Sequence, residues 1–151
     1  MRILLQRVGH ASVKVDGAQV ASIGKGYLVL VGIGAVDAPE HARKLAEKLF
    51  GLRLFADEAG KMNLNLEQVH GSLLLVSQFT LFADTKKGNR PSFVDAARPE
   101  LARPLFDYFV DHCRRLAPNT DIQTGVFGAM MDVELLNDGP VTIWLDSAQW
   151  D

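Results

Sequence analysis

Apolar and polar residues alternate with a period of two over Ala11-Ser12-Val13-Lys14-Val15, the pattern of a strand with one buried face. Asp16-Gly17 follows as a two-residue hairpin signal, and Ala18 to Ile23 reads as the returning strand. Tyr27-Leu28-Val29-Leu30-Val31-Gly32-Ile33 is apolar throughout and predicts a central strand buried on both faces. The period then changes. Ala42, Leu45, Ala46, Leu49 and Phe50 recur at helical spacing on one face. Asp37 and Glu40 have the spacing of a capping box, Pro39 suits a first turn, and Gly51 is a natural stop. Leu52 to Ala56 predicts a short strand, and Asp57 to Gly60 a turn.

Ser72 to Gln78 predicts a second buried strand, running directly into Phe79-Thr80-Leu81-Phe82. Residues 83–91 are polar and hold Gly88 and Pro91, which makes them a loop. Pro99 opens a second helix, with Pro104 still near its first turns and Pro118 beyond its end. Its expected apolar stripe is Leu101, Leu105, Tyr108, Phe109, His112 and Leu116. Asp121 to Val126, Met131 to Leu136 and Val141 to Leu145 read as strands, the last two joined by Asn137-Asp138-Gly139-Pro140 as a tight turn. The resulting order is β-β-β-α-β-β-α-β-β-β. Strands cluster instead of alternating with helices, so the expected fold class is α+β and not a doubly wound parallel sheet. No repeat, linker or low-complexity segment divides residues 1–151, which are expected to form one domain.

Composition narrows the function classes. The chain is 48% hydrophobic and 23% charged, ordinary for a globular domain, and its net charge of −2 does not suit coating nucleic acid by charge alone. Any RNA contact is expected to be local. Cys113 is the single cysteine, so no intrachain disulfide forms, and its place in a helical pattern marks a buried structural thiol in a reduced compartment. Ile3-Leu4-Leu5 is too short for a secretory signal, and Tyr27 to Val36 is about half the length of a membrane helix. The expected location is the cytoplasm, without a membrane partner.

Several chemistries are absent. There is no Gly-x-Ser-x-Gly elbow, Walker loop or His-Glu-x-x-His, and Gly24-Lys25-Gly26 lacks the spacing of a dinucleotide site. His10, His41, His70, His112 and Cys113 are not at metal-ligand spacing, so no metal or cofactor is expected. His41 is expected to be solvated on the first helix, and His112 to be a helix-face residue.

Three features remain. Ser77-Gln78-Phe79-Thr80-Leu81 sets two hydroxyls, an amide and an aromatic at the end of an apolar strand, where rigid scaffolds present reactive groups. Gln78 or backbone N–H groups there suit an oxyanion site; the alternative is that Ser77 and Thr80 only bond backbone. The loop Asp84 to Pro91 concentrates Lys86, Lys87 and Arg90, either as a solvated loop or as phosphate contacts. Asp138-Gly139-Pro140-Val141-Thr142 is a turn whose Gly–Pro bond is free to be cis.

Taken together, Ser77–Leu81, Asp84–Phe93 and Asn137–Thr142 resemble D-aminoacyl-tRNA deacylases, the D-tyrosyl-tRNA(Tyr) deacylase family, and the likeness runs along the whole chain from Gln6-Arg7-Val8. The resemblance implies a β-rich two-layer α/β domain with two main helices, assembled as a homodimer with active sites at the interface. It implies that Ser77, Gln78, Phe79 and Thr80 line the pocket of their own subunit. Gly139-Pro140 matches the family's Gly-cisPro element, which reaches into the pocket of the other subunit. Arg7 matches the arginine that holds that element, and Phe127 and Met131 match pocket-wall positions. The implied substrate is the 3′ end of a D-aminoacyl-tRNA, with mischarged glycyl-tRNA also cleaved, and Lys86, Lys87 and Arg90 as tRNA contacts. Mechanism stays open between a Thr80 nucleophile and an RNA-assisted route using the terminal 2′-OH, with backbone N–H groups near Phe79 and Thr80 holding the oxyanion. Other classes are a non-catalytic RNA-binding module and a small-molecule serine or threonine esterase.

Overall fold

The computed structural model describes residues 1–150. Strand β1 (Arg2–Val15) is the spine. It begins nine residues before the alternating stretch at Ala11: Ile3 and Leu5 are buried on the helix side while Leu4 and Gln6 are only half-buried, and Val8 is buried on the other face. Arg7, Gly9 and His10 break the period and hide this part of the strand from a sequence reading. One edge of β1 pairs antiparallel with β3 (Gly26–Gly32) and then with β2 (Ala18–Ile23). Asp16 and Gly17 both have positive φ, 50° and 78°, as the hairpin between β1 and β2 requires.

β3, β6 (Ser72–Ser77) and β7 (Ile122–Thr124) are parallel neighbours. The crossovers are helices α1 (Pro39–Gly51) and α2 (Pro99–Leu116), which pack on one face of the sheet. Leu45, Leu49, Phe109, Leu73 and Leu75 are fully buried there. On the other face, β2 crosses over β6 and β7, with Ser22 N–H donating to Gln123 Oε1 at 2.8 Å. Val8, Val13, Ile23, Leu74 and Val76 form a second core beneath it. A two-stranded ribbon, β4 (Phe55–Ala56) with β5 (Met62–Leu64), sits apart from the main sheet. The fold is α+β with two main helices, as the order of elements predicts.

Four local expectations are corrected. First, the tight turn at Asn137–Pro140 is not a hairpin. Residues 132–146 form one strand, β8 (Asp132–Asp146), paired antiparallel with β1 along its length. Gln6 pairs with Thr142 and Val8 with Asn137, so β8 spends five steps where β1 spends two. The surplus residues bulge outward opposite Arg7. Second, α1 is not capped by Asp37 and Glu40. The N-cap is Ala38, whose N–H donates to His41 Nδ1 at 2.9 Å, so His41 is engaged and only partly solvated. Asp37 is buried instead, paired with the Met1 ammonium and accepting from Gly34 N–H at 2.6 Å. Third, the buried stripe of α2 is Ala102, Leu105, Phe106, Phe109, Val110 and Cys113. Leu101 and Leu116 lie exposed, because the stripe is rotated by about one residue from the one expected. Fourth, the predicted strand Leu52–Ala56 is ordered as strand only at β4, and its partner β5 was not anticipated.

Cys113 is fully buried, and burial pushes its thiol up to about 12, which fits a structural role. No helix among the described residues is long and apolar enough to cross a membrane.

Candidate active site

The parallel strands β3, β6 and β7 end together, and crevices at such carboxyl ends are where open α/β sheets bind ligands. Ser77 closes β6, and Gln78 N–H extends the ladder by donating to Val31 O at 2.8 Å. The chain then tightens into a 3₁₀ turn over Phe79–Phe82. The first N–H groups of such a turn, here those of Phe79 and Thr80, have no acceptor within it. Phe79 is 56% exposed and sits edge-on to Phe93, with centroids 5.0 Å apart. Thr80 is exposed, and no imidazole or carboxylate bonds to it among the described residues. His10 and His41 are engaged elsewhere, at Glu134 and at the start of α1.

The turn is held from behind. Arg2 Nη1 donates to Leu81 O at 2.9 Å, its guanidinium lies 4.3 Å from the Phe82 ring centre, and its Nε pairs with Asp146 at 3.1 Å. Gly32 and Gly34 let this turn seat closely: a Cβ on Gly34 would lie 2.7 Å from the Phe82 ring. No local sequence signal marks Arg2, because its partners Leu81, Phe82 and Asp146 all lie far along the chain.

Phe127 and Met131 flank the same end. Gly125 N–H donates to Leu75 O at 3.0 Å, so the segment beyond β7 runs beside the end of β6. Phe127 packs against Phe106 on the helix side, under the Arg103 guanidinium at 5.0 Å. Met131 packs on the second core, and its sulfur lies 2.6 Å from where a Gly125 Cβ would stand. Lys86, Lys87 and Arg90 are exposed on the following loop and make no ion pair among the described residues. The Asp84–Ser92 bridge closes that loop at its base.

The Asp138–Val141 bulge stands elsewhere. Gly139–Pro140 is cis, and Gly139 has φ +118°. Arg7 reaches it through Asp138, with Nε 3.1 Å from Oδ2, while its Nη1 donates to Leu54 O at 2.5 Å. Strand register fixes how far this lies from Ser77. Arg7 pairs with Tyr27, which pairs with Leu73, whereas Ser77 pairs with Val31. The bulge is therefore four residues down the sheet from Ser77, roughly 13 Å at strand rise, and three strands across, about another 14 Å. No hydrogen bond, ion pair or ring contact joins the two motifs within the chain among the described residues. Clefts of about 370 Å³ beside His70 and Asp121 and about 270 Å³ behind the 3₁₀ turn leave out Ser77 to Thr80 as well as Gly139 and Pro140. One chain thus places Ser77, Gln78, Phe79 and Thr80 at the end of β6, with Phe127 and Met131 on the segment beside it but packed on different cores, and sets the exposed Gly139 and Pro140 apart with the half-buried Arg7.

The model of the D-Tyr-tRNA(Tyr) deacylase family matches residues 4–146. A protein of Thermomicrobium roseum named D-aminoacyl-tRNA deacylase is 60% identical over 149 residues, covering 99% of this chain and 96% of its own. One of Escherichia coli O1:K1 / APEC with the same name is 53% identical over 145 residues, covering 96% and 99%. Among solved structures, one described as c-Myc DNA Unwinding Element Binding Protein superposes with a TM-score of 0.92 at 39% identity, over 97% of this chain and 98% of that one. Another, described as a probable eukaryotic D-amino acid tRNA deacylase, shares the fold at a TM-score of 0.83 and 18% identity, over 95% and 97%. On sequence along nearly its full length and on fold, the chain belongs to the D-Tyr-tRNA(Tyr) deacylase family.

Proposed function

We infer that this chain is a D-aminoacyl-tRNA deacylase that hydrolyses the ester between a D-amino acid and the terminal adenosine of tRNA, and that it does so as a homodimer. The observation that carries the dimeric reading is the separation of its two motifs. Phe79 and Thr80 are exposed, as are Gly139 and Pro140, and the two pairs are too far apart to meet on one aminoacyl ester within a chain. A second copy supplies the missing half: Gly139 and Pro140 of one subunit enter the crevice of Ser77 to Thr80 in the other.

The chemistry of discrimination favours this arrangement. D- and L-aminoacyl esters carry identical groups, so exclusion by clash separates them more effectively than any added attraction. The main-chain carbonyls of Gly139 and Pro140 receive the α-ammonium, and the space left over admits a D side chain but not an L one. Glycine has hydrogen on both sides and passes, so mischarged glycyl-tRNA is also cleaved.

Water then attacks the ester carbonyl, the carbon–O3′ bond breaks, and the 3′ oxygen leaves with a proton. The N–H groups of Phe79 and Thr80 stabilise the oxyanion, a contribution of about 2.7–4 kcal/mol per donor. The 2′-OH assists, since among the described residues Thr80 has no bonded base to activate it. Thr80→Ala is accordingly expected to keep measurable deacylation, within about tenfold of wild type, in a single-turnover assay. Loss to the uncatalysed rate, with an acyl adduct trapped on Thr80 in wild type, would reverse the mechanism in favour of a nucleophile.

Lys86, Lys87 and Arg90 position the phosphate backbone without reading sequence. Replacing all three with Ala should raise KM and flatten its salt dependence, leaving kcat near wild type. An unchanged salt slope would remove the loop from the RNA path. The whole reading is tested by following ester loss from matched D- and L-aminoacyl-tRNA. Hydrolysis of the D form alone supports it. Binding without turnover points to an RNA-binding module, and equal rates with cleavage of simple esters to an ordinary esterase.

A further inference from the structure

Where β8 breaks register against β1, one side chain spans the gap. Asn137 stands at the foot of the bulge, half-buried. Its Nδ2 donates to Arg7 O on β1 at 3.0 Å and to Val141 O on the far side of the bulge at 3.1 Å. Its Oδ1 accepts from Gln6 Nε2 at 3.1 Å, and Thr142 Oγ1 lies 3.4 Å from the same oxygen. Both protons of the amide are thus used on main-chain carbonyls. The orientation of the amide is dictated, because carbonyls only accept and the nitrogen must face them.

These bonds replace the ladder that the register break removes. A bulge leaves ladder groups unpaired, and a partly buried carbonyl without a donor is costly. Asn137 satisfies one carbonyl from each strand with a single rigid amide, and so fixes the distance across the loop's two feet. Arg7 holds the crown through Asp138, and Asn137 holds the base.

We propose that Asn137, oriented by Gln6, is a positioning residue that sets the shape of the Asp138–Val141 bulge and thereby its selectivity between D- and L-aminoacyl esters. The proposal rests on the reading of Gly139 and Pro140 as the chiral filter. Neither Asn137 nor Gln6 touches substrate. They act through the main chain, as supporting groups do when they hold a site within a fraction of an ångström.

Two substitutions disturb the same bonds by different routes. Asn137→Asp keeps the size but turns a double donor into an acceptor facing two carbonyls. Gln6→Glu sets a carboxylate against Asn137 Oδ1, so the amide must flip and point its oxygen at those carbonyls. Gln6→Glu acts from the neighbouring strand, so it carries the test if Asn137→Asp does not fold. The full dimer is assayed on matched D- and L-aminoacyl-tRNA, with kcat and KM separated and a thermal melt alongside. Folded variants are expected to lose at least about tenfold in the ratio of D to L turnover, mainly through kcat, while Gln6→Met, which only deletes the orienting donor, loses less. Wild-type ratios in folded Asn137→Asp and Gln6→Glu would overturn the assignment. So would a Gln6→Glu ratio that is unchanged when Asn137→Asp cannot be made. If the wild-type protein itself does not separate D from L, the filter reading fails, and that outcome is distinct from failure of Asn137 alone.

Discussion

Gly139→Ala is expected to lower kcat/KM on D-aminoacyl-tRNA by about a hundredfold or more while leaving the chain folded, since misplacement of a binding group by about 1 Å costs rates of that order. A Cβ at this position would stand 2.8 Å from Val141 N and 3.1 Å from Arg7 Nη2, and φ of +118° is a conformation that L side chains rarely adopt. The residue is exposed and lies outside both cores, so the strain of about 1–3 kcal/mol is relieved by movement of the bulge and not by unfolding. Steady-state kinetics and a melting curve on the same sample check both halves of this expectation. Wild-type kinetics from a folded Ala variant would mean that the bulge is only a structural feature of β8.

Gly26→Ala should have the opposite signature. Its Cβ would fall 1.8 Å from Ser72 O, a backbone atom of the neighbouring strand, where no side-chain movement can make room. β3 and β6 would have to separate at the first of their paired positions, Gly26 with Ser72. The expected loss is about 4 kcal/mol or more, the range reserved for gross steric conflict. For a domain with a total stability of about 5–15 kcal/mol that is about a quarter to four fifths of the margin. A urea titration reads the shift directly, and a midpoint within experimental error of wild type would show that the two strands part without cost. The two substitutions separate the scaffold from the proposed filter: one is expected to weaken the fold and activity with it, the other to lower activity alone.

Much of the scaffold was legible because its signals are local. The Asp16-Gly17 hairpin, the apolar run of β3 and the helical spacing of α1 each declare themselves within a few residues. What escaped depends on partners distant in sequence. Asn137-Asp138-Gly139-Pro140 carries every local mark of a turn, yet the chain does not reverse, since β1 is long enough to pair with both flanking segments. Asp37 has the spacing of a cap, but a buried ammonium and the Gly34 N–H claim its carboxylate. On α2, the expected and observed stripes share Leu105 and Phe109, and only packing against the sheet decides which neighbours turn inward.

The candidate site divides the same way. Hydroxyls and an amide at the end of an apolar strand single out Ser77 to Thr80 from residue types alone. Arg7 carried no such mark, because Asp138 and Leu54 O, which explain its position, are brought to it only by folding. Family resemblance implies its role, and the structure supplies its contacts.

The central claim is that main-chain carbonyls donated by a second subunit, and no reactive side chain, select the mirror image. A crystal structure of the protein with a non-hydrolysable 3′-amide analogue of a D-aminoacyl adenosine tests it most directly. The account predicts the α-ammonium within hydrogen-bonding distance of the carbonyl oxygens of Gly139 and Pro140 of the partner subunit, with the ester-equivalent carbonyl facing the N–H groups of Phe79 and Thr80. An ammonium held by a carboxylate side chain, in a site to which only one subunit contributes, would contradict it.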